Sequence, residues 1–106
     1  MRIVITMVIA GLAVFMPALL PAQESKVEQG KTVFQAHCAR CHLADSTIGG
    51  QGPGLQGLFK RDKLPSGRDP SEENIRDQIQ GGGDTMPPFR LPEEELNTLV
   101  QYLKTL

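Results

Sequence analysis

Every cysteine and every histidine of this 106-residue chain falls within six consecutive positions, His37-Cys38-Ala39-Arg40-Cys41-His42. A chain of this length makes one small domain, and two cysteines cannot form a framework of several disulfides. Cys38-x-x-Cys41-His42 has the spacing by which a c-type haem is attached. On a helical turn, positions i, i+3 and i+4 share one face. The spacing therefore predicts that Cys38 and Cys41 each reach one vinyl group of a porphyrin as thioethers, while His42 directs its imidazole at the iron. Other uses of the same residues fit less well. A zinc site needs ligands from separated segments, and six consecutive residues do not easily surround a tetrahedral ion. A redox Cys-x-x-Cys needs a βαβ setting, and no stretch here alternates with period two. A Cys38–Cys41 disulfide would close a tiny loop and leave His42 without a role.

Composition supports a missing core that a bound group would fill. Of the 42 residues behind the 40% hydrophobic figure, 17 lie between Met1 and Ala22, and the other 84 residues hold only 25. Leu, Ile, Val and Phe supply 18 of those 84, close to the roughly 20% level at which chains begin to look disordered. Domains so small and so poor in apolar residues usually need a disulfide, a metal or a cofactor.

The apolar N-terminus reads as a separate segment. Arg2 is the only charge among the first 23 residues, the stretch from Ile3 to Phe15 is apolar apart from Thr6 and Gly11, and Leu20-Pro21-Ala22 offers a small residue for cleavage. This order is that of a secretory signal. The expected division is a cleaved signal over residues 1–22 and a domain over residues 23–106. The alternative is an uncleaved membrane anchor, with Ile3 to Leu20 at the short end for a membrane span. Export suits a haem that bacteria attach outside the cytoplasm.

Three helices are predicted. Ser25 and Glu28 fit a capping box, followed by Val27, Gly30, Phe34 and Cys38 along one side. Pro70-Ser71-Glu72-Glu73 reads as a second start, with Ile75 and Ile79 at i,i+4 and Gly81-Gly82-Gly83 as the stop. Pro92 suits the first position of a third helix, and Glu93, Glu94 and Glu95 favour its positive end. Leu96, Leu99, Val100 and Leu103 form its apolar stripe, with Tyr102 beside it. Long loops over Gly49 to Gly57 and Lys60 to Pro70 join them, and loops of that length in a small domain usually wrap something. The expected class is all-α.

The sixth iron ligand follows by elimination. Of the four methionines, Met1, Met7 and Met16 are in the leader, so the domain holds Met86 alone. His37 adjoins Cys38 on the attachment side and does not easily reach the other face. Glycines 81–83 let the chain swing under the ring, and Pro87 and Pro88 then stiffen it. A methionine before two prolines is a poor core filler, and His/Met ligation is a known haem arrangement. A lysine ligand or an open position are the alternatives.

At this point the sequence resembles the class I c-type cytochromes, single-haem electron carriers, from about Val27 to Leu103. Gly30 and Phe34 match the family's small residue and aromatic in the first helix, and Leu99 and Tyr102 their partners in the last. Gly52-Pro53-Gly54-Leu55 is similar to the family's segment after the haem motif. The resemblance implies that the Pro53 carbonyl accepts a hydrogen bond from His42, which would orient the imidazole and raise its basicity. Asp84-Thr85-Met86-Pro87-Pro88-Phe89 looks like the distal-ligand loop. The chain departs from some members in having no Trp. Candidates to hold the haem propionates are then Lys60, Arg61, Lys63 and Arg68, with Arg61 and Arg68 best able to make bidentate pairs. A solvated basic loop is the alternative for that cluster.

The resemblance implies a cytochrome c fold around one covalently attached haem c and its iron, and a periplasmic one-electron carrier. It would run between a dehydrogenase- or reductase-type donor and an oxidase- or reductase-type acceptor, as a monomer meeting its redox partners transiently. A net charge of −1 leaves no polybasic footprint for nucleic acid. No catalytic acid–base pair or small-molecule substrate site is evident. The alternatives are a haem subunit of a membrane respiratory or dehydrogenase complex, and an open-site haem sensor or peroxidase.

Overall fold

A computed structural model of the chain describes residues 22–83 and 85–106, together with Ile3, Val4, Thr6, Ala10 and Gly11. The expected leader thus lies almost wholly outside the described residues. Three helices are present: α1 (Ala22–His37), α2 (Glu72–Gly81) and α3 (Glu93–Leu103), with a short 3-10 turn at Leu58–Lys60 between α1 and α2. Among the described residues there is no strand, only an isolated antiparallel bridge between Gly83 and Met86. Among them, too, no helix is long and apolar enough to cross a membrane.

Two helix starts differ from the sequence expectation. Helix α1 begins at Ala22, so Ser25 is inside it and caps nothing. Its Oγ instead accepts from Gln29 Nε2, one turn on, at 3.3 Å. Ala22, Gln23 and Glu24 are all good helix formers, and nothing in them stops the helix from running back past Ser25. Pro92 is the cap of α3, with extended backbone (φ −54°, ψ 146°), and Glu93 is the first helical residue. Helix α2 starts as its sequence implies: Ser71 Oγ accepts the Asn74 N–H at 3.1 Å, satisfying one of the donors a helix start leaves free.

Helix α1 packs chiefly against α3, while α2 touches α3 more lightly. Gly30 makes the α1–α3 approach possible. A Cβ there would lie 1.9 Å from the Thr98 carbonyl oxygen and 2.8 Å from Tyr102 Cβ, so any side chain would force the helices apart. Beside it, the Phe34 and Tyr102 rings meet at 5.4 Å between centroids with planes tilted by 55°, within the separation at which aromatic pairs attract. Withdrawal from water raises the Tyr102 phenol above its ordinary value, with Asp45 and Glu28 adding to the effect. The α3 stripe supplies the deepest part of the core: Leu99 and Val100 are 0% exposed and Leu96 1%. Phe34, Leu58, Leu64, Ile75, Ile79 and Leu103 complete it. Arg76 ties α2 to α3 by pairing with Glu93 at 3.1 Å and by donating to Asn97, while Glu72, one turn back in α2, pairs with it at 3.7 Å.

Candidate functional site

The motif follows directly on the end of α1. Cys38 N–H and Ala39 N–H both donate to the Phe34 carbonyl, at 2.7 and 2.9 Å. The next turn closes through Cys41 N–H and His42 N–H, which donate to the Cys38 carbonyl at 3.1 and 2.9 Å. The run is therefore a tight turn with helix-like bonding rather than part of α1 itself. That bonding keeps positions 38, 41 and 42 on a common side. All three line a cavity of about 500 Å³.

His42 is oriented by a loop eleven residues further on. Its Nδ1 donates to the Pro53 carbonyl at 2.8 Å; a carbonyl can only accept, so Nδ1 carries a proton, and in the neutral imidazole Nε2 is then the nitrogen with the lone pair. The fit leaves no slack. A Cβ on Gly52 would lie 2.6 Å from His42 Cε1, so this loop passes the imidazole only because residue 52 has no side chain. Neither cysteine is in a disulfide, and both are half-buried. Burial pushes the Cys38 thiol up to about 11, with Cys41 adding to the shift. Cys41 Sγ–H donates to Gln51 Oε1 at 3.3 Å.

Met86 reaches the same cavity from the loop after α2. Gly83 N–H donates to the Met86 carbonyl at 3.0 Å and Met86 N–H returns a bond to the Gly83 carbonyl at 2.8 Å, closing a tight turn. Asp84 lies outside the described residues. Phe89 N–H donates to the Ile79 carbonyl at 2.8 Å, which fixes the far side of the Pro87-Pro88 step. The thioether has a polar neighbour: Gln78 Nε2–H donates to Met86 Sδ at 3.6 Å.

The rest of the lining is mostly apolar. Leu58, Leu64, Ile75, Ile79, Phe89 and Leu103 face the cavity as well as the core. His37 lines its edge, with its ring 6.0 Å from the Phe89 ring. No lysine is among the described residues that line it. Of the four basic candidates only Arg61 lines the cavity. Arg68 is turned to α2, where it donates to Asn74 and pairs with Asp77 at 3.3 Å. Lys63 pairs with Asp69 at 2.5 Å, and that contact holds the Asp69 carboxyl below its ordinary range. Among the described residues no three His, Cys, Asp or Glu side chains converge as a metal-binding group, so a zinc site finds no donor set.

Gln78 and Gln51 line the site without having been singled out by the sequence. A signal for Gln78 exists: it stands at i+3 from Ile75 and next to Ile79, so a polar residue interrupts the apolar face of α2. Nothing in the sequence marks Gln51 beyond its place before Gly-Pro-Gly.

Two free thiols, an imidazole with its Nε2 lone pair available, a thioether and an apolar wall form a donor set for a large flat apolar group with a central metal ion. The residues present fit a covalently held haem. A helical domain built this way belongs to the class of haem-wrapping electron-transfer folds. Residues 25–103 match the family described as cytochrome c oxidase, cbb3-type, subunit III. The chain is 35% identical over 88 residues to a Synechocystis protein named cytochrome c-553-like, covering 80% of this chain and 73% of that one. It is 31% identical over 85 residues to a Synechococcus cytochrome c6, covering 78% and 72%. It is 32% identical over 76 residues to a Microcystis aeruginosa cytochrome c6, covering 70% and 89%. The chain belongs to the c-type cytochromes, in the single-haem class I group, with the cytochrome c fold. It carries one covalently attached haem c and is an electron-transfer protein rather than an enzyme.

Proposed function

We propose that the chain is a periplasmic one-electron carrier whose haem is bound by Cys38 and Cys41 and whose iron is held between His42 and Met86. The observation that carries the reading is that one apolar cavity is lined at once by both thiols, the imidazole and the thioether. When bound, the haem supplies an Fe(III)/Fe(II) couple. Each protein group has a separate task. Cys38 and Cys41 would anchor the ring through two covalent bonds. Donation from Nδ1 to Pro53 leaves His42 Nε2 as the ligating atom and raises its basicity. The Met86 thioether would supply a soft donor to the iron, of the kind that favours the reduced state. The apolar wall excludes water and disfavours the more highly charged state in the same direction. Because His42 and Met86 would both hold the iron in either oxidation state, little would need to rearrange on electron transfer.

The donor is of the dehydrogenase or reductase type and the acceptor of the oxidase or reductase type, each met transiently by a monomer. Residues 1–22 act as a signal cleaved on export. A second reading, a haem subunit held permanently on a membrane oxidase, is favoured by the description of the matched family. Co-purification with a membrane complex would select it.

The test is the absorption spectrum of the protein made in a host that attaches c-type haem. The oxidised protein should show a weak methionine-to-iron charge-transfer band at the red end, and Met86→Ala should abolish it. A wild-type protein without that band, or a variant that keeps it, removes Met86 as a ligand.

A further inference from the structure

The loop from Gly52 to Arg61 runs beside the motif and carries the carbonyl that orients His42. Its early residues are stitched to the motif and to the segment that follows it. Gly52 N–H donates to the Cys41 carbonyl at 2.8 Å, Leu55 N–H to the Leu43 carbonyl at 2.8 Å, and Gln56 N–H to the Ser46 carbonyl at 3.2 Å. Pro53 has no N–H, so the residue that meets His42 cannot be pinned by a donor of its own. Arg61 reaches back over this stretch. Its Nη2 donates to the Gly54 carbonyl at 2.6 Å and to the Gln56 carbonyl at 2.9 Å. The Gly54 peptide is thereby held on two sides. A Cβ at Gly54 would lie 2.2 Å from the Ser46 carbonyl oxygen, so the motif segment presses on one side while Arg61 bonds the carbonyl. Arg61 takes part in none of the ion pairs among the described residues. Its charge is directed at carbonyl dipoles, and hydrogen bonds from a charged donor are stronger than neutral ones.

We propose that Arg61 is a positioning residue for His42: its guanidinium grips the loop at Gly54 and Gln56 and so holds the Pro53 carbonyl on the imidazole Nδ1–H. That the imidazole so held is an iron ligand rests on the proposed function; the mechanical claim does not. A guanidinium suits the task because it is always charged and holds its donors in a rigid plane. The competing use of Arg61 is as a simple counter-charge facing the cavity, with no hold on the loop.

The experiment compares reduced, haem-loaded wild type with R61M and R61K by nitrogen-15 NMR, following solvent exchange of the His42 Nδ1–H. The backbone amides of Phe34 and Leu99 report global opening. The expected result is exchange of the ring proton about tenfold or more faster in R61M, from loss of a charged hydrogen bond to the loop, with the two amides unchanged. R61K keeps the charge and one donor group, and should fall between. Ring-proton exchange that is unchanged in R61M, or that rises only in step with the amides, overturns the proposal. Should R61M not fold, R61K decides alone: faster ring-proton exchange with steady amides supports the grip, and unchanged exchange overturns it. The His42 ring carbons test ligation separately, since the protons on a ligated imidazole are displaced by the porphyrin ring current. Ordinary positions in the wild type would remove His42 as ligand, and the Nδ1–H exchange would still judge the grip.

Discussion

At the crossing of α1 and α3 the chain fills its own interior. Gly30 admits the Thr98 backbone, the Phe34 ring meets Tyr102, and Leu96, Leu99 and Val100 are buried to within 1% of fully. Around residues 38–89 the chain leaves a space of about 500 Å³ and surrounds it with loops. The crossing holds the two ends of the domain together by side-chain packing. The loops have little regular structure to hold them: one 3-10 turn and the helix α2 span the 55 residues between α1 and α3. Apolar side chains such as Ile75 and Ile79 therefore face both ways, toward the core and toward the cavity. The difference teaches that stability and redox chemistry are carried by separate regions, joined by residues that serve both.

The widest test of that division is to withhold the haem. At about 24 cal/mol per Å³, leaving about 500 Å³ open would cost at most about 12 kcal/mol. That is comparable to the whole net stability of a domain, ~5–15 kcal/mol. Chain made without haem attachment should lose cooperative thermal unfolding by circular dichroism. A sharp transition at the loaded protein's midpoint would show that the loops need no filling.

Within the loaded protein, the crossing should govern stability alone. Leu99→Ala empties a fully buried site and should cost about 2–5 kcal/mol in urea unfolding. Gly30→Ala should cost about 1–3 kcal/mol by overpacking. In both variants the oxidised and reduced absorption spectra should match wild type. A spectral change with either substitution would break the separation between the two regions.

The smallest expected effect is electrostatic. Lys104 bonds Glu72 at 2.5 Å and, mainly through that hydrogen bond, holds the Glu72 carboxyl below its ordinary value. A lowered folded-state value means that the unfolded chain takes up the proton first as pH falls. The pair's contribution is thus present above the ordinary carboxylate value and is lost as pH drops through the folded one. Both groups are well exposed, so the contribution should be under about 1 kcal/mol. Lys104→Met should flatten the fall in melting temperature between pH 5 and pH 3, working through roughly that pH window for a lowered carboxylate. An unchanged slope would assign the pair no role.

The crossing was far more legible in the sequence than the loops. Spacings of three and four residues mark Leu96, Leu99, Val100 and Leu103 because a helix repeats every 3.6 residues. The ends of helices were harder to place. Ser25 looks like a cap by its residue type, yet residue type does not tell whether the helix runs past it. Pro92 fits both the cap and the first helical position, and its extended ψ of 146° made it the cap. In the loops the candidate ligands were legible through their chemistry, since few Cys, His and Met exist to choose from. Their supporting contacts were not. Arg61 and Arg68 are the same residue type seven positions apart, and only the fold turns one to the cavity loop and the other to Asp77. Gln78 meets Met86 because a turn at Gly83 brings the loop back over α2, and the break that Gln78 makes in the apolar face of α2 does not say which residue it will meet.

The most direct test of a carrier closed on both sides of the iron is to add carbon monoxide to the reduced, haem-loaded protein and record the absorption spectrum. With His42 and Met86 both in place, the spectrum should not shift. A rapid shift to a carbon monoxide-bound form would mean an open sixth position, and would contradict the closed carrier in favour of a protein that binds ligands at its iron.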